Sequence, residues 1–261
     1  MQARDLNPYM LGRGIASSTT EEVADILGVP AAEVRKRMAP LRRRGEFVCP
    51  ARGLWVPVPS DKREWGAPEP WAYIDSMMVH LGREYCVGWL TAASVHGAGH
   101  QAAQVFQVAV SEPLRDRTVG RSRLQFSAKS DVGSMPSRMV SLPSGRARVA
   151  TPEACALMVA ESTDMAGGLD NAATVIVELA ESESFSVEEV AAAASLFSKA
   201  AARRVGWILD EFAPDAGTAP LLAACGKDGS SASYLDPYAG RSGKLDSRWN
   251  IIVNREVEPD L

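Results

Sequence analysis

The stretch VRKRMAPLRRRGEFVCPARGLWVP, residues 34–57, decides how the N-terminal part of this chain folds. Its first half carries six cationic side chains, while Val34, Met38 and Leu41 recur at the spacing of an amphipathic helix. We therefore predict a helix from about residue 31 to residue 44, with an apolar stripe on one side and a basic surface on the other.

The second half of the stretch predicts a β-hairpin. Two short β-prone runs, Phe47–Cys49 and Leu54–Val56, flank the turn-forming sequence Pro-Ala-Arg-Gly. The turn places Arg52 at the tip of the hairpin, where its side chain would reach outward. A hairpin directly after a basic helix is typical of the wing of a DNA-binding module.

The residues before the stretch supply the rest of such a module. A short first helix is expected over residues 5–12. Thr19 and Glu22 have the spacing of a capping box at the start of a second helix, and Gly28 ends that helix. We therefore predict a winged helix-turn-helix for residues 1–58, because its elements follow in the order helix, helix, glycine turn, helix and hairpin.

On a helical wheel, Lys36 and Arg43 lie opposite the apolar stripe, with Arg35 and Arg42 on one flank. Arg37 and Arg44 fall nearer the core edge, and Pro40 divides a base-reading half from a phosphate-clamping half. The ordinary alternative is that these charged side chains are only solvated. A helix surface whose charges are all positive, followed by a hairpin with its own arginine, instead favours DNA binding. The predicted DNA-binding residues are Arg35, Lys36, Arg42, Arg43, Arg44 and Arg52.

The charge of the chain is divided along its length. The net charge is −4, made up of +3 in residues 1–60, +3 in residues 61–150 and −10 in residues 151–261. A basic front suits a polyanion and an acidic back suits a protein partner. No signal pattern or membrane-length apolar run is present, and four scattered cysteines fit a reducing compartment, so we expect a cytoplasmic protein with no membrane partner.

The remaining sequence predicts an α+β protein. Residues 59–70 are rich in proline and polar side chains and are interpreted as a linker. Residues 71–261 are expected to form a larger domain of mixed α/β order, with strands at residues 105–110, 123–128 and 146–151. In that domain Thr151 and Ser186 are predicted helix caps, the latter in a capping box with Glu189.

Motifs for enzyme chemistry are missing. His96 and His100 have the spacing of metal ligands on a helix, but the intervening glycines favour a packing histidine. GxSxG, a P-loop, a carboxylate–x–lysine nuclease motif and a paired D-x-D are all absent. We therefore expect no catalytic residues, no cofactor and no metal.

The chain resembles the AbiEi antitoxins of AbiE-type (type IV) toxin–antitoxin operons in bacteria, including mycobacterial relatives. The resemblance runs from the winged-helix block with "RGLW" (residues 52–55) through "YCVGWLTAASVHGAGHQAAQVFQVAV" (85–110). It continues in "RVATPEACALMV", "AGGLDNAATVIVELA", "ARRVGWILDEF" and "DSRWNIIVNREVE". The family's usual wing tyrosine is Trp55 here, and the helix after Thr151 lacks an acidic residue often found near its end.

The resemblance implies an antitoxin that neutralises a nucleotidyltransferase-like toxin, with or without direct contact. It also implies repression of its own operon through promoter DNA, with inverted repeats as the expected operator. The alternative is a stand-alone winged-helix transcriptional regulator whose C-terminal domain senses a ligand or oligomerises. A DNA-processing enzyme is a third and weaker interpretation.

Overall fold

The structure is a computed structural model that describes residues 1–99, 104–226 and 231–261. It is a mixed α+β protein with ten α-helices and three sheets in these ranges. The chain divides into two compact units. The first holds residues 1–86, 104–133 and 139–148, and the second holds the other described residues.

The helices and strands follow one another along both units. The α-helices are α1 (Leu6–Gly12), α2 (Thr20–Leu27), α3 (Ala31–Arg43), α4 (Ile74–Leu81), α5 (Trp89–Val95), α6 (Pro152–Glu161), α7 (Leu169–Ala180), α8 (Val187–Ala193), α9 (Lys199–Phe212) and α10 (Ala219–Cys225). The strands are β1 (Ser18–Thr19), β2 (Phe47–Ala51), β3 (Leu54–Pro57), β4 (Tyr85–Val87), β5 (Val105–Val110), β6 (Arg117–Val119), β7 (Ser122–Ala128), β8 (Ser137–Leu142), β9 (Gly145–Ala150), β10 (Ser233–Tyr234), β11 (Lys244–Asp246) and β12 (Ile251–Val253). None of the helices in the described ranges is long and apolar enough to span a membrane.

Residues 1–58 gather around a hydrophobic cluster of their own. The cluster is built by α1, α2, α3 and the β2–β3 hairpin, and its members include Leu6, Met38 and Trp55. The predicted capping box is confirmed: Glu22 N donates to Thr19 Oγ1 at 3.2 Å and Thr19 N donates to Glu22 Oε2 at 2.8 Å. β1 pairs antiparallel with β3, which pairs antiparallel with β2.

The segment predicted as a linker carries several contacts in the first unit. Ala67 is fully buried, and Trp65 O accepts a hydrogen bond from Arg121 N at 3.0 Å. Gly120 lies so close that a Cβ there would stand 2.7 Å from the backbone of residues 65–67. The predicted domain boundaries remain predictions.

A six-stranded sheet has the order β6-β7-β5-β4-β9-β8. β5 pairs parallel with β7 over its whole length, with Phe106 opposite Leu124, and β6 pairs antiparallel with β7. The predicted strands at residues 105–110, 123–128 and 146–151 are confirmed within one residue at each end. β6 and β8 were not predicted, because one is three residues long and the other buries no side chain completely.

The second unit is centred on helices. α6 buries nine consecutive residues, 152–160, so it is apolar on every side and belongs in a core. Thr151 caps it as predicted, because Thr151 Oγ1 accepts from Ala154 N. α9 buries residues 201–209 and carries the ring of Trp249 against Gly206, where a Cβ would lie 2.1 Å from the ring.

The predicted capping box at Ser186 is only half formed. Ser186 Oγ accepts from Glu189 N at 3.3 Å, as expected. Ser186 N, however, donates to Glu153 Oε1 at 3.2 Å and not to Glu189. Glu153 lies 33 residues away and 6% exposed, so a tertiary contact has replaced the local bond.

Candidate nucleic-acid interface

The orientation of α3 agrees with the helical wheel. Val34, Met38 and Leu41 are at most 1% exposed, which fixes the rotation of the helix about its axis. All six cationic residues of the helix and its C-terminal end are exposed. The helix runs without interruption through Pro40.

Two of these cations are neutralised by carboxylates of their own segment. Arg37 Nη2 lies 3.4 Å from Glu33 Oε2 one turn earlier, and Arg44 Nε lies 2.7 Å from Glu46 Oε1. The hydrogen bond from Glu46 raises the pKa of Arg44. The predicted site residue Arg44 is therefore already engaged, whereas Arg37, outside the predicted site, is the second engaged cation.

The other predicted residues keep their charges available. Within the described parts of the chain, no carboxylate is within ion-pair distance of Arg35, Lys36, Arg42, Arg43 or Arg52. A surface of single-sign charge without counter-ions attracts phosphates at low ionic strength. Its potential weakens as salt screens it.

Arg42 and Arg43 share a cleft of about 520 Å³ in the first unit. One wall is α3 and β2, including Cys49, and the rest of the lining comes from the end of β6 and the start of the β6–β7 turn, residues 118–120. Nearby, the guanidinium of Arg117 in β6 donates to Pro50 O of β2, and its partial burial lowers the pKa of Arg117. β6 thus contacts β2 directly.

The tip of the β2–β3 hairpin is held by side chains from two helices. His80 Nε2, at the end of α4, lies 2.9 Å from Arg52 O. Thr20 Oγ1, in the first turn of α2, donates to Gly53 O at 3.3 Å and accepts from Trp55 Nε1 at 3.1 Å. Sequence reasoning missed His80 and Thr20, since neither stands near the hairpin along the chain.

Of the two histidines that the sequence spaces like metal ligands, the structure describes only His96. His96 Nε2 donates to Ala150 O at 2.7 Å, and burial lowers the pKa of this histidine. His100 lies outside the described residues. Nowhere in the described ranges do three His, Cys, Asp or Glu side chains meet at a distance that could hold a metal ion.

Comparison with known proteins adds the family. The model of the AbiEi antitoxin C-terminal domain matches residues 86–211. The chain carries an AbiEi antitoxin domain at these residues. It is accordingly an antitoxin of a toxin–antitoxin system, and such a protein has a toxin as its partner.

The AbiEi match begins after β3, so all six predicted DNA-binding residues lie outside it. The chain is also similar to a solved structure described as the RV2827C protein from Mycobacterium tuberculosis, with a TM-score of 0.69 and 14% sequence identity. That similarity covers 96% of this chain and 90% of the other, and at this identity it concerns the fold alone. No curated protein matches the chain.

Inside the AbiEi domain, the second unit holds a second pair of adjacent arginines, Arg203 and Arg204, which are 3% and 5% exposed. Arg204 donates to the carbonyl oxygens of Ala160, Tyr234 and Leu235 at 2.8–3.2 Å. These donors are spent on backbone oxygens, so this pair organises the fold.

Proposed function

We propose that this antitoxin represses its own operon by binding promoter DNA through residues 1–58, which form a winged helix-turn-helix. In this proposal α3 is the recognition helix and the β2–β3 hairpin is the wing. Residues 59–70 connect it to the antitoxin domain at residues 71–261. The observation that carries the proposal is the exposed face of α3, whose cations Arg35, Lys36, Arg42 and Arg43 have no carboxylate partner in the described ranges.

The two halves of α3 have different roles in the proposal. Arg35 and Lys36 lie in the first half, where the side chains of a recognition helix meet base edges. Arg42 and Arg43 lie beside the cleft and hold phosphates on either side of it. Arg44 contributes after it leaves Glu46, and Arg52 reaches the neighbouring groove or backbone from the wing.

The toxin in this proposal is a nucleotidyltransferase-like protein encoded beside this chain, as in type IV systems. The antitoxin acts in the cytoplasm of a bacterium, without catalysis, cofactor or metal. Inverted repeats in the promoter are the expected operator, since paired half-sites match the two-fold symmetry of most helix-turn-helix complexes.

The DNA-binding part is tested with two charge-matched double variants of the full chain. Lys36→Ala with Arg43→Ala removes two unpaired cations of α3, and Arg37→Ala with Lys62→Ala removes two cations that Glu33 and Glu69 already pair. Binding to the DNA upstream of its own gene is measured by fluorescence anisotropy between 50 and about 200 mM salt. The first variant should lose about 10- to 100-fold in affinity with a shallower salt slope, and the control should lose little. Equal losses would show that only total charge matters.

The antitoxin part is tested in cells. The neighbouring gene is expressed in a bacterial host with the full chain, and growth is followed. The chain and its Lys36→Ala/Arg43→Ala variant should both restore growth, because the variant alters only the proposed DNA face. Absence of any toxic neighbour, together with intact promoter binding, would favour the stand-alone regulator.

A further inference from the structure

We propose that His80 is a positioning residue for DNA binding: it holds the backbone of the wing tip, so that Arg52 is presented to DNA from a fixed turn. The DNA-binding half of this inference rests on the proposed function. The anchoring half rests only on the contacts of His80 in the first unit.

The anchor is a short contact to an exposed turn. His80 Nε2 lies 2.9 Å from Arg52 O, and the same ring lies over Gly53, where a Cβ would be 3.7 Å from its Cε1 and Nε2. Gly53 has φ +85°, a conformation that favours glycine and fixes a sharp turn. The Nε2–H group donates to the carbonyl in both the imidazolium form and the matching neutral tautomer.

The next carbonyl of the turn has its own donor. Thr20 Oγ1 donates to Gly53 O and accepts from Trp55 Nε1, so α2 holds the carbonyl of Gly53. His80 holds the carbonyl of Arg52 from α4. The two consecutive carbonyls, of Arg52 and Gly53, are therefore tied to two different helices.

This arrangement matters for an arginine that must reach a phosphate. The Arg52 side chain is exposed and without an ion pair in the described ranges, so its donors are available. An untethered hairpin tip would lose backbone freedom on binding, and that loss would weaken the complex. A tip that is ordered beforehand avoids it. Because α4 begins at Ile74, the wing depends on a helix outside residues 1–58.

The anchor can be tested without DNA by limited trypsin digestion of the full chain. The Arg52 carbonyl is the one that trypsin attacks in cleaving Arg52–Gly53, and cleavage reports how often the turn opens. His80→Ala should be cleaved there roughly 3- to 10-fold faster, the ratio expected for one lost hydrogen bond. His80→Gln, whose amide can donate, should stay near the original rate. Arg13–Gly14, a second exposed Arg–Gly bond, is the internal control and should be cleaved at an unchanged rate.

Equal Arg52–Gly53 cleavage in all three proteins would overturn the anchor. So would a rise at Arg13–Gly14 of the same size, because it would reveal general loosening. Mass spectrometry of the fragments distinguishes the two bonds.

The role in DNA binding is tested by a double-mutant cycle on the promoter fragment. His80→Ala should weaken binding by roughly 3- to 10-fold in the original chain and have little effect in the Arg52→Ala background, because it acts through Arg52. If His80→Ala weakened binding by the same factor in both backgrounds, the positioning role would be overturned. If the original chain did not bind its promoter at all, the proposed function would fall together with this role, while the cleavage rates would still decide the anchor.

Discussion

The chain contains two adjacent arginine pairs on helices, and their environments are opposite. Arg42 and Arg43 on α3 are exposed, border a cleft and have no carboxylate partner in the described ranges. Arg203 and Arg204 on α9 are nearly inaccessible and donate to oxygen atoms of the second unit. Neighbouring cations in a sequence therefore indicate a polyanion site only when the helix turns them outward.

What differs is the apolar pattern around each pair. α3 buries only three residues, so a wide polar surface remains, whereas α9 buries nine consecutive positions and draws its arginines inward. Burial lowers the pKa of Arg204, with Asp236 acting in the opposite direction. A guanidinium nevertheless stays charged near neutral pH. The buried pair is therefore held by hydrogen bonds that satisfy a permanent charge.

The largest effect is expected from Arg204→Ala. It leaves the carbonyl oxygens of Ala160, Tyr234 and Leu235 without their donor in a buried place, which should cost about 3–5 kcal/mol of unfolding free energy. Urea denaturation followed by circular dichroism measures the loss. Arg204→Lys keeps the charge but not the planar fork and should recover only part of it. If Arg204→Ala lowered the free energy of unfolding no more than removal of an exposed arginine does, the buried pair would not be structural and would not differ from the exposed pair.

Gly206→Ala tests the contact between α9 and the ring of Trp249. The added methyl would meet the ring of Trp249, which is 2% exposed and donates from Nε1 to Asp210 Oδ2 at 2.7 Å. Overpacking of this kind costs about 1–3 kcal/mol. The control is Gly12→Ala, where no atom lies within 4 Å of the new Cβ. Equal stabilities of the two variants in thermal unfolding would contradict the tight contact on α9.

The exposed pair should behave differently from the cations before Pro40. Arg42→Ala with Arg43→Ala should weaken binding to all DNA sequences alike, by about 10- to 100-fold, and reduce the salt slope by about 2. Arg35→Ala with Lys36→Ala should instead relax the preference for the promoter over unrelated DNA. Competition titrations with both DNAs measure the difference. A uniform loss in both variants would mean that α3 contacts only phosphates.

Sequence reasoning found what depends on local patterns. The apolar stripe of α3, the cap at Thr19 and the strand at residues 105–110 follow from spacing within one segment, and each is confirmed. The six cations were found in the same way. Whether they bind DNA remains a prediction.

What sequence reasoning missed depends on distant contacts. His80 is 28 residues from Arg52, and Glu153 replaces the local partner of Ser186 from 33 residues away. The pairing of Arg44 with Glu46 spans only two residues, but Glu46 follows the end of α3 and therefore does not appear on a helical wheel. Arg203 and Arg204 resemble the first pair in sequence, and only the tertiary core distinguishes them.

His96 differs from the buried arginines, because a buried imidazole can lose its proton near neutral pH whereas a guanidinium stays charged. Burial lowers the pKa of His96 below its ordinary 6.5, so the unfolded chain binds a proton that the folded chain does not. The stability that the neutral His96 contributes is complete above pH 6.5 and is lost as the pH falls below that value. The free energy of unfolding then falls by less than about 1.4 kcal/mol per pH unit. His96→Gln should flatten the dependence of the unfolding free energy on pH below pH 6.5. An unchanged profile would show that His96 titrates normally in the fold.

The smallest effect concerns Arg44, the predicted DNA contact that is already paired. To meet a phosphate it must leave Glu46 Oε1, 2.7 Å from its Nε, so Arg44→Ala should reduce affinity less than Arg42→Ala, which removes the same charge. Glu46→Gln removes the competing carboxylate and should tighten DNA binding slightly, with a steeper salt slope. Adding Arg44→Ala to Glu46→Gln should then cost more than it does in the original chain, because the freed guanidinium is now a phosphate contact. Identical costs in the two backgrounds would mean that the ion pair does not restrain Arg44, and that α3 offers five equivalent cations to DNA.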